Sequence, residues 1–279
     1  MVRRRQLGSA LRQYRIDADL SVKDVAGRLL CSPSKISRME SAQRNISARD
    51  VRDLIDIYRI TDPDVRAHLM QLAEESRETA WWAPYNLGPA YERLIGLEGS
   101  ATVIYDYQMG AVPGLLQIPE YTAAVVGEWN SDPDAVRKAV EVRQARQKFI
   151  SENTKLEFVV DESVFRRSVG GPETMRAQIR KLVDLSEGST IELQVVPFSS
   201  GAHQGMVTGF NILRFASSQP LDQAAGMSDV VYLEGVVEPA YLEQADEVDG
   251  YLTAFFGLQR KALTKQETIS FMRAVLRDL

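Results

Sequence analysis

The chain has 279 residues, 44% hydrophobic and 25% charged, with one cysteine and a net charge of -5. Its length exceeds one small domain and fits two units, each with a core of its own, and its composition is that of a globular protein rather than a disordered or fibrous one. No apolar run reaches the roughly 18 residues of a spanning helix, the basic start MVRRRQLGSA has no apolar stretch behind it, and a lone Cys31 excludes an intrachain disulfide and a cysteine-rich zinc site. These features place the chain in a reducing cytoplasm, with no membrane.

Residues 1–60 hold 13 Lys/Arg against 7 Asp/Glu, a balance of +6, which leaves the rest of the chain at -11. A basic head is drawn to a polyanion, and an acidic body keeps the remainder off it.

Apolar residues recur at helical spacing in four short runs: Leu7, Leu11 and Tyr14; Val22, Val25, Ala26 and Leu29; Ile36 and Met39; Val51, Leu54, Ile55 and Tyr58. Three of them carry start signals. Ser21 with Asp24 reads as a capping box, Ser32 before Pro33 supplies a cap and a proline at the first helical position, and Ser47 with Asp50 opens the fourth helix. Only Leu30, Cys31 and Ser32 separate the second and third runs, and so short a break makes two helices cross steeply, as in a helix-turn-helix.

In that motif the second helix lies in the major groove with its N-terminal residues at base edges, while neighbouring elements grip phosphates. Pro33, Ser34, Lys35 and Arg38 point away from the Ile36/Met39 side and, with the cap Ser32, are the candidates to meet bases; Lys35 or Arg38 would pair with guanine. Lys23, near the start of the second helix, and Gln43, Arg44 and Asn45, after the third, suit backbone phosphates. Arg3, Arg4 and Arg5 read either as a solvated, disordered terminus, the favoured reading, or as a basic arm that reaches the backbone or a minor groove. A protein-binding bundle is the rival reading of four small helices, and the positive charge on the third helix and its loop favours DNA.

The run from Leu7 to Tyr58, with its caps, core spacing and ISRME segment, resembles the lambda-repressor-like, XRE-type helix-turn-helix. That resemblance implies a DNA-binding head. Two positions depart from it: Val22 stands where members often have Gln, and Ala42 where Gly is usual.

A fifth helix is expected from Asp62 to about Glu78, capped by Thr61 or Asp62 with Pro63 at its first position. WWAPYNLGPAY then breaks the pattern and marks a boundary. From Tyr91 on, helices are expected at about 91–98, 119–129, 134–151, 172–187, 240–256 and 264–277, and strands at LEFVV, IELQVV, GFNILRF and DVVYLEG. The expected architecture is an all-α helix-turn-helix domain over residues 1–78 followed by an α+β domain over 79–279.

The second half carries VPGLLQIPEY (112–121), VEVRQARQ (140–147), VVDESVFRR (159–167), MRAQIRKL (175–182), LQVVPFSSGAHQG (193–205), GFNILRF (209–215) and DVVYLEG (229–235) in order. Together these resemble the large domain behind an XRE-type head in WhiJ-like, antitoxin-like regulators of actinobacteria. The resemblance implies a small partner protein, often encoded nearby.

Catalytic chemistry has little support. His68 and His203 are the only histidines and neither has a second ligand nearby in sequence, so no metal is expected. No nucleophile elbow, phosphate loop or dinucleotide-binding pattern occurs, and no cofactor is expected. Asp161 and Glu162 suggest acid and base roles, but a cap by Asp161 and pairing of Glu162 with Arg143 or Arg146 explain them better. VPFSSGAHQG reads as a plain strand connection rather than a lid hinged at Gly201 and Gly205. The reading is a non-enzymatic, DNA-binding regulator that binds duplex DNA as a homodimer. An adaptor that sequesters a small protein, or a small-molecule sensor, remains open.

Overall fold

The structure is a computed structural model describing residues 2–76, 80–150, 154–188, 191–215 and 228–279, apart from the side chains of Val2 and Arg5. It divides into two units, one built on the chain up to Ser100 and the other on Ala101–Arg214 with Asp229–Leu279.

In the first unit, α1 (Val2–Asp17), α2 (Val22–Arg28), α3 (Pro33–Glu40), α4 (Ala48–Ile57) and α5 (Pro63–Glu75) follow the expected periodicity. Ser21 and Asp24 close a reciprocal capping box on α2. Ser32 accepts from the Lys35 amide at the start of α3, Ser47 from the Asp50 amide at α4, and Asp62, rather than Thr61, from the amides of Asp64 and Val65 at α5. Each cap satisfies amides that have no partner within the helix.

Leu7, Leu11, Val25, Ile36, Met39, Leu54 and Ile55 form one buried core. A Cβ on Gly8 would lie 2.7 Å from the Met39 carbonyl oxygen and 2.8 Å from that of Glu40, so the close packing of α1 on the end of α3 requires glycine there. The first four helices end on residues of left-handed backbone, Asp19, Leu30, Ala42 and Arg59, with φ between 51° and 58°. None of these four is glycine.

The N-terminal arginines are not a free arm. All three lie within α1, and Arg3 Nε stands 3.0 Å from Glu75 Oε2 on α5; arginine is a good helix former, and the helix runs through it. Farther on, Trp81 packs edge-on against Trp82 at 5.5 Å and against Tyr85 at 6.4 Å, before α6 (Pro89–Glu98) closes the unit.

The second unit holds a six-stranded sheet in the order β3-β2-β1-β4-β5-β6. Its strands are β1 (Val103–Gln108), β2 (Lys155–Asp161), β3 (Ile191–Val196), β4 (Phe210–Arg214), β5 (Val230–Leu233) and β6 (Ala240–Leu242). β1, β2 and β3 are parallel, and β4, β5 and β6 add antiparallel on the other side of β1. Parallel neighbours need helical crossovers. α7 (Pro119–Gly127) and α8 (Pro133–Phe149) carry the chain from β1 to β2, and α9 (Ser163–Arg166) and α10 (Gly171–Glu187) from β2 to β3. α11 (Ala245–Lys261) buries Val248, Phe255 and Leu258 against Tyr105, Tyr107, Val159, Phe210 and Val231 on one sheet face. α12 (Lys265–Asp278) packs on α10 and against β3.

Two expectations fail here. β1, a central strand of the sheet, was not foreseen. The helix expected at 240–256 begins only at Ala245, because residues 240–242 pair with β5, Tyr241 opposite Tyr232, as β6. Helices expected to reach Glu78 and residue 151 end at Glu75 and Phe149, and 78 and 151 lie outside the described residues.

Candidate nucleic-acid interface

α3 is gripped on every side but one. Ile36 and Met39 are 1% exposed and face the core. At its C-terminal end, Arg15 of α1 holds Glu40 bidentately, Nε to Oε1 at 2.7 Å and Nη2 to Oε2 at 3.0 Å, and also donates to the Leu20 carbonyl. The hydrogen bond to Glu40 holds the Arg15 guanidinium above its ordinary pKa. Beside this pair Tyr58 is buried; burial, then the Glu40 charge, pushes its phenol well above the ordinary value.

Toward α4, Lys35 Nζ lies 2.6 Å from Asp50 Oδ1. Burial raises the Asp50 carboxyl, but hydrogen bonds from Lys35 and Ser47 together outweigh it and set the group below its ordinary value of 3.8. The sequence reading placed Lys35 among outward-facing side chains. The structure turns it sideways instead, because its position beside Ile36 brings the ammonium within reach of the α4 N-terminus, where Asp50 also bonds the capping Ser47.

The remaining face carries Pro33, Ser34, Ser37 and Arg38, all exposed, with Ser32 at its leading edge. Arg38 Nε rests on the Ser34 carbonyl at 3.2 Å. Ser37 was missed, though it stands three residues after Ser34 and four after Pro33, the helical spacing of neighbours on one face. The following loop folds back through the Arg44 amide, which donates to the Arg38 carbonyl at 3.1 Å, leaving Gln43, Arg44 and Asn45 exposed. Lys23 is exposed near the start of α2. Three of the candidate cations, Lys23, Arg38 and Arg44, therefore lie on exposed backbone next to an exposed stripe of one short helix.

The second unit assembles no comparable chemistry at the places sequence suggested. Asp161 accepts the Ser163 amide at 2.8 Å, but it stands one residue before the N-cap of α9, which is Glu162. Glu162 pairs with Arg166, which α9 places one helical turn away, and accepts the Phe198 amide, whereas the expected partner Arg143 donates to Gln117 instead. His203 Nε2 reaches Asp161 Oδ2 at 3.4 Å, with the Tyr107 ring edge-on at 6.4 Å. Burial, then the Asp161 charge, raises the Tyr107 phenol well above its ordinary value. The segment between β3 and β4 closes on that ring, since a Cβ on Gly205 would lie 2.4 Å from it. Among the described residues no group of three or more His, Cys, Asp or Glu side chains is placed to hold a metal, and no helix is long and apolar enough to cross a membrane.

Comparison with known families fits this division. A helix-turn-helix domain model matches residues 6–69, from within α1 to the middle of α5, and supports a DNA-binding regulator. A second model, described as a domain of unknown function, DUF5753, matches residues 91–274. No curated protein and no solved structure is significantly similar to the chain. Because the DUF5753 model covers more than half of its length, the chain belongs to the DUF5753 family, and it carries its helix-turn-helix domain ahead of that region.

Proposed function

We propose that the protein is a cytoplasmic, sequence-specific regulator of transcription, of the XRE type and WhiJ-like, that reads duplex DNA through α3 and turns over no substrate. The observation that carries this reading is the stripe Ser32, Pro33, Ser34, Ser37 and Arg38, left exposed on a helix whose other sides are held by the core, by Arg15 and by Asp50. A helix so held offers one face to a groove, and rigid placement of a few side chains is what base recognition requires. Arg38 would read guanine; Lys23, Gln43, Arg44 and Asn45 would contact phosphates. One eight-residue helix touches too few bases for a genomic address, so a homodimer on two half-sites about one helical turn apart is the fitting assembly. The larger unit, on this reading, receives a small partner protein or another signal.

Gel-shift titrations over a range of salt test the assignment. Arg38→Ala should relax preference at one base step by about 1–3 kcal/mol. Arg44→Ala should weaken binding on all sequences and lower the salt slope by about one. Equal losses for Arg38→Ala on every sequence would remove it from base reading, and a chain that retains no duplex in dilute salt would end the proposal.

A further inference from the structure

The segment that leads from β1 to α7 gathers more hydrogen-bond donors than it has acceptors for them. Gly114–Leu116 form a single helical turn, and neutral side chains fix it. Gln178 of α10 is 0% exposed; its Oε1 accepts from the Ile118 amide and its Nε2 donates to the Leu116 carbonyl, each at 2.8 Å. Gln117, also buried, donates from Nε2 to the Val112 carbonyl at 2.7 Å.

Cations crowd the turn nonetheless. Lys181 Nζ of α10 donates to the Gln117 carbonyl at 3.2 Å, where Gln144 and Gln147 of α8 also donate, at 3.2 Å and 2.9 Å. Three donors thus share an oxygen with two lone pairs. Arg143 Nη1 donates at 2.8 Å to Gln117 Oε1, which also accepts from Thr122, while Arg143 Nε is buried with no partner. The second acceptor of Lys181 is Gln147 Oε1 at 3.2 Å. Arg143 and Lys181 therefore end on neutral amide oxygens, and neither pairs with a carboxylate among the described residues. Burial sets the Lys181 ammonium below its ordinary value, and no carboxylate offsets it.

Gly114 opens this place to a ligand. Outside its own stretch of chain, a Cβ on it would have guanidinium nitrogens as its nearest neighbours: Arg146 Nη1 at 3.5 Å, Arg146 Nη2 at 3.6 Å and Arg143 Nε at 3.7 Å. Backbone left bare in front of two arginines is what close approach of a ligand requires. Arg146, 7% exposed, is itself engaged and adds its charge. Gly114, Arg143 and Lys181 are half-buried, so solvent reaches them.

Covered cations without a counter-charge are costly, and an anion would supply both the charge and the missing acceptors. Donors arriving from two helices suit a phosphate group, with about two charges and three oxygens, better than a carboxylate, with one charge and two oxygens. We propose that Gly114, Arg143, Arg146 and Lys181 bind the phosphate group of a small phosphorylated molecule. This rests on the reading of the larger unit as a receiver, and gives that receiver a ligand chemistry.

The test uses the full chain and inorganic phosphate, with acetate and chloride at matched ionic strength. Calorimetric titration should show saturable phosphate binding, and the melting temperature should rise with phosphate by mass action but not with acetate or chloride. Gly114→Ala fills the bare position at ordinary contact distances and should leave the circular dichroism unchanged. That variant and Arg143→Gln should each weaken phosphate binding about tenfold or more. The basic head also attracts phosphate, so binding that neither substitution weakens lies elsewhere and overturns the proposal. So does acetate binding as tight as that of phosphate, or no response beyond that of chloride. Gel shifts separate the sources of phosphate: Gly114→Ala should retain duplex, and its loss would assign the site to the DNA backbone instead of a small molecule. If phosphate alters duplex affinity equally in Gly114→Ala and the parent chain, the receiver reading fails while the binding site stands.

Discussion

The two units are specified differently. In the first, α2 to α5 each begin at a side-chain cap a few residues away in sequence, and two polar clamps, Arg15 to Glu40 and Lys35 to Asp50, lock the helices together. In the second, the organising element is the pairing of β1 with β2 and β4, residues some fifty and a hundred positions distant. Local signals fix the head, whereas long-range registry fixes the body. The clamps hold α3 from two sides and leave one face of it open.

Substitutions can break or sharpen that contrast. The largest loss should come from Phe158→Ala at the middle of β2, which removes a ring 1% exposed and should cost about 3–5 kcal/mol, read as faster amide exchange along β1 and β2. Glu40→Ala should approach it, at about 3 kcal/mol, because it strands the largely covered Arg15. If amides of α1 and α3 kept their protection in that variant, the clamp would not be what holds the head. Gly8→Ala follows, at about 1–3 kcal/mol by overpacking against two backbone oxygens, measured by denaturant titration.

Asp50→Asn should act through pH. Because the folded carboxylate titrates below 3.8, its contribution is complete above that value and is lost as pH falls from 3.8 to the lower folded value. The variant should therefore be weaker at neutral pH and show a shallower acid limb, followed by circular dichroism. The smallest effect has the opposite sign. Ala42→Gly relieves a left-handed alanine (φ 58°) and should stabilise the head by about 1 kcal/mol, seen as a higher melting temperature.

The same contrast explains what sequence disclosed. The four short helices expected in the head, the caps of α2, α3 and α4 and the turn at Leu30 to Ser32 stand where expected, because Ser, Pro and Asp at fixed offsets act within one turn of chain. Ala42 was recognised as the odd residue in its loop, and it does adopt left-handed backbone. β1 escaped because VIYDYQ is six residues long and carries Asp106 mid-strand, yet Asp106 is 2% exposed between its neighbours. Val103, Tyr105 and Tyr107 at alternate positions, with Ile104 on the other face, are signal enough once the charge is discounted. Lys35 shows the other limit: helical phase placed it near the open face, but which neighbour it chose depended on α4, fifteen residues later. Nothing local announced that His203 would meet Asp161, since those residues approach only when the sheet forms.

The absence of glycine from all four helix ends of the head has a bearing on how long the molecule lasts in a cell. Leu30, Ala42 and Arg59 each leave about 1 kcal/mol of attainable stability unused, which raises the fraction of time the head spends open to proteases. Whatever binds the folded head lowers that fraction by mass action. Occupied and idle copies would then differ in lifetime as well as in activity, so that turnover itself would report occupancy.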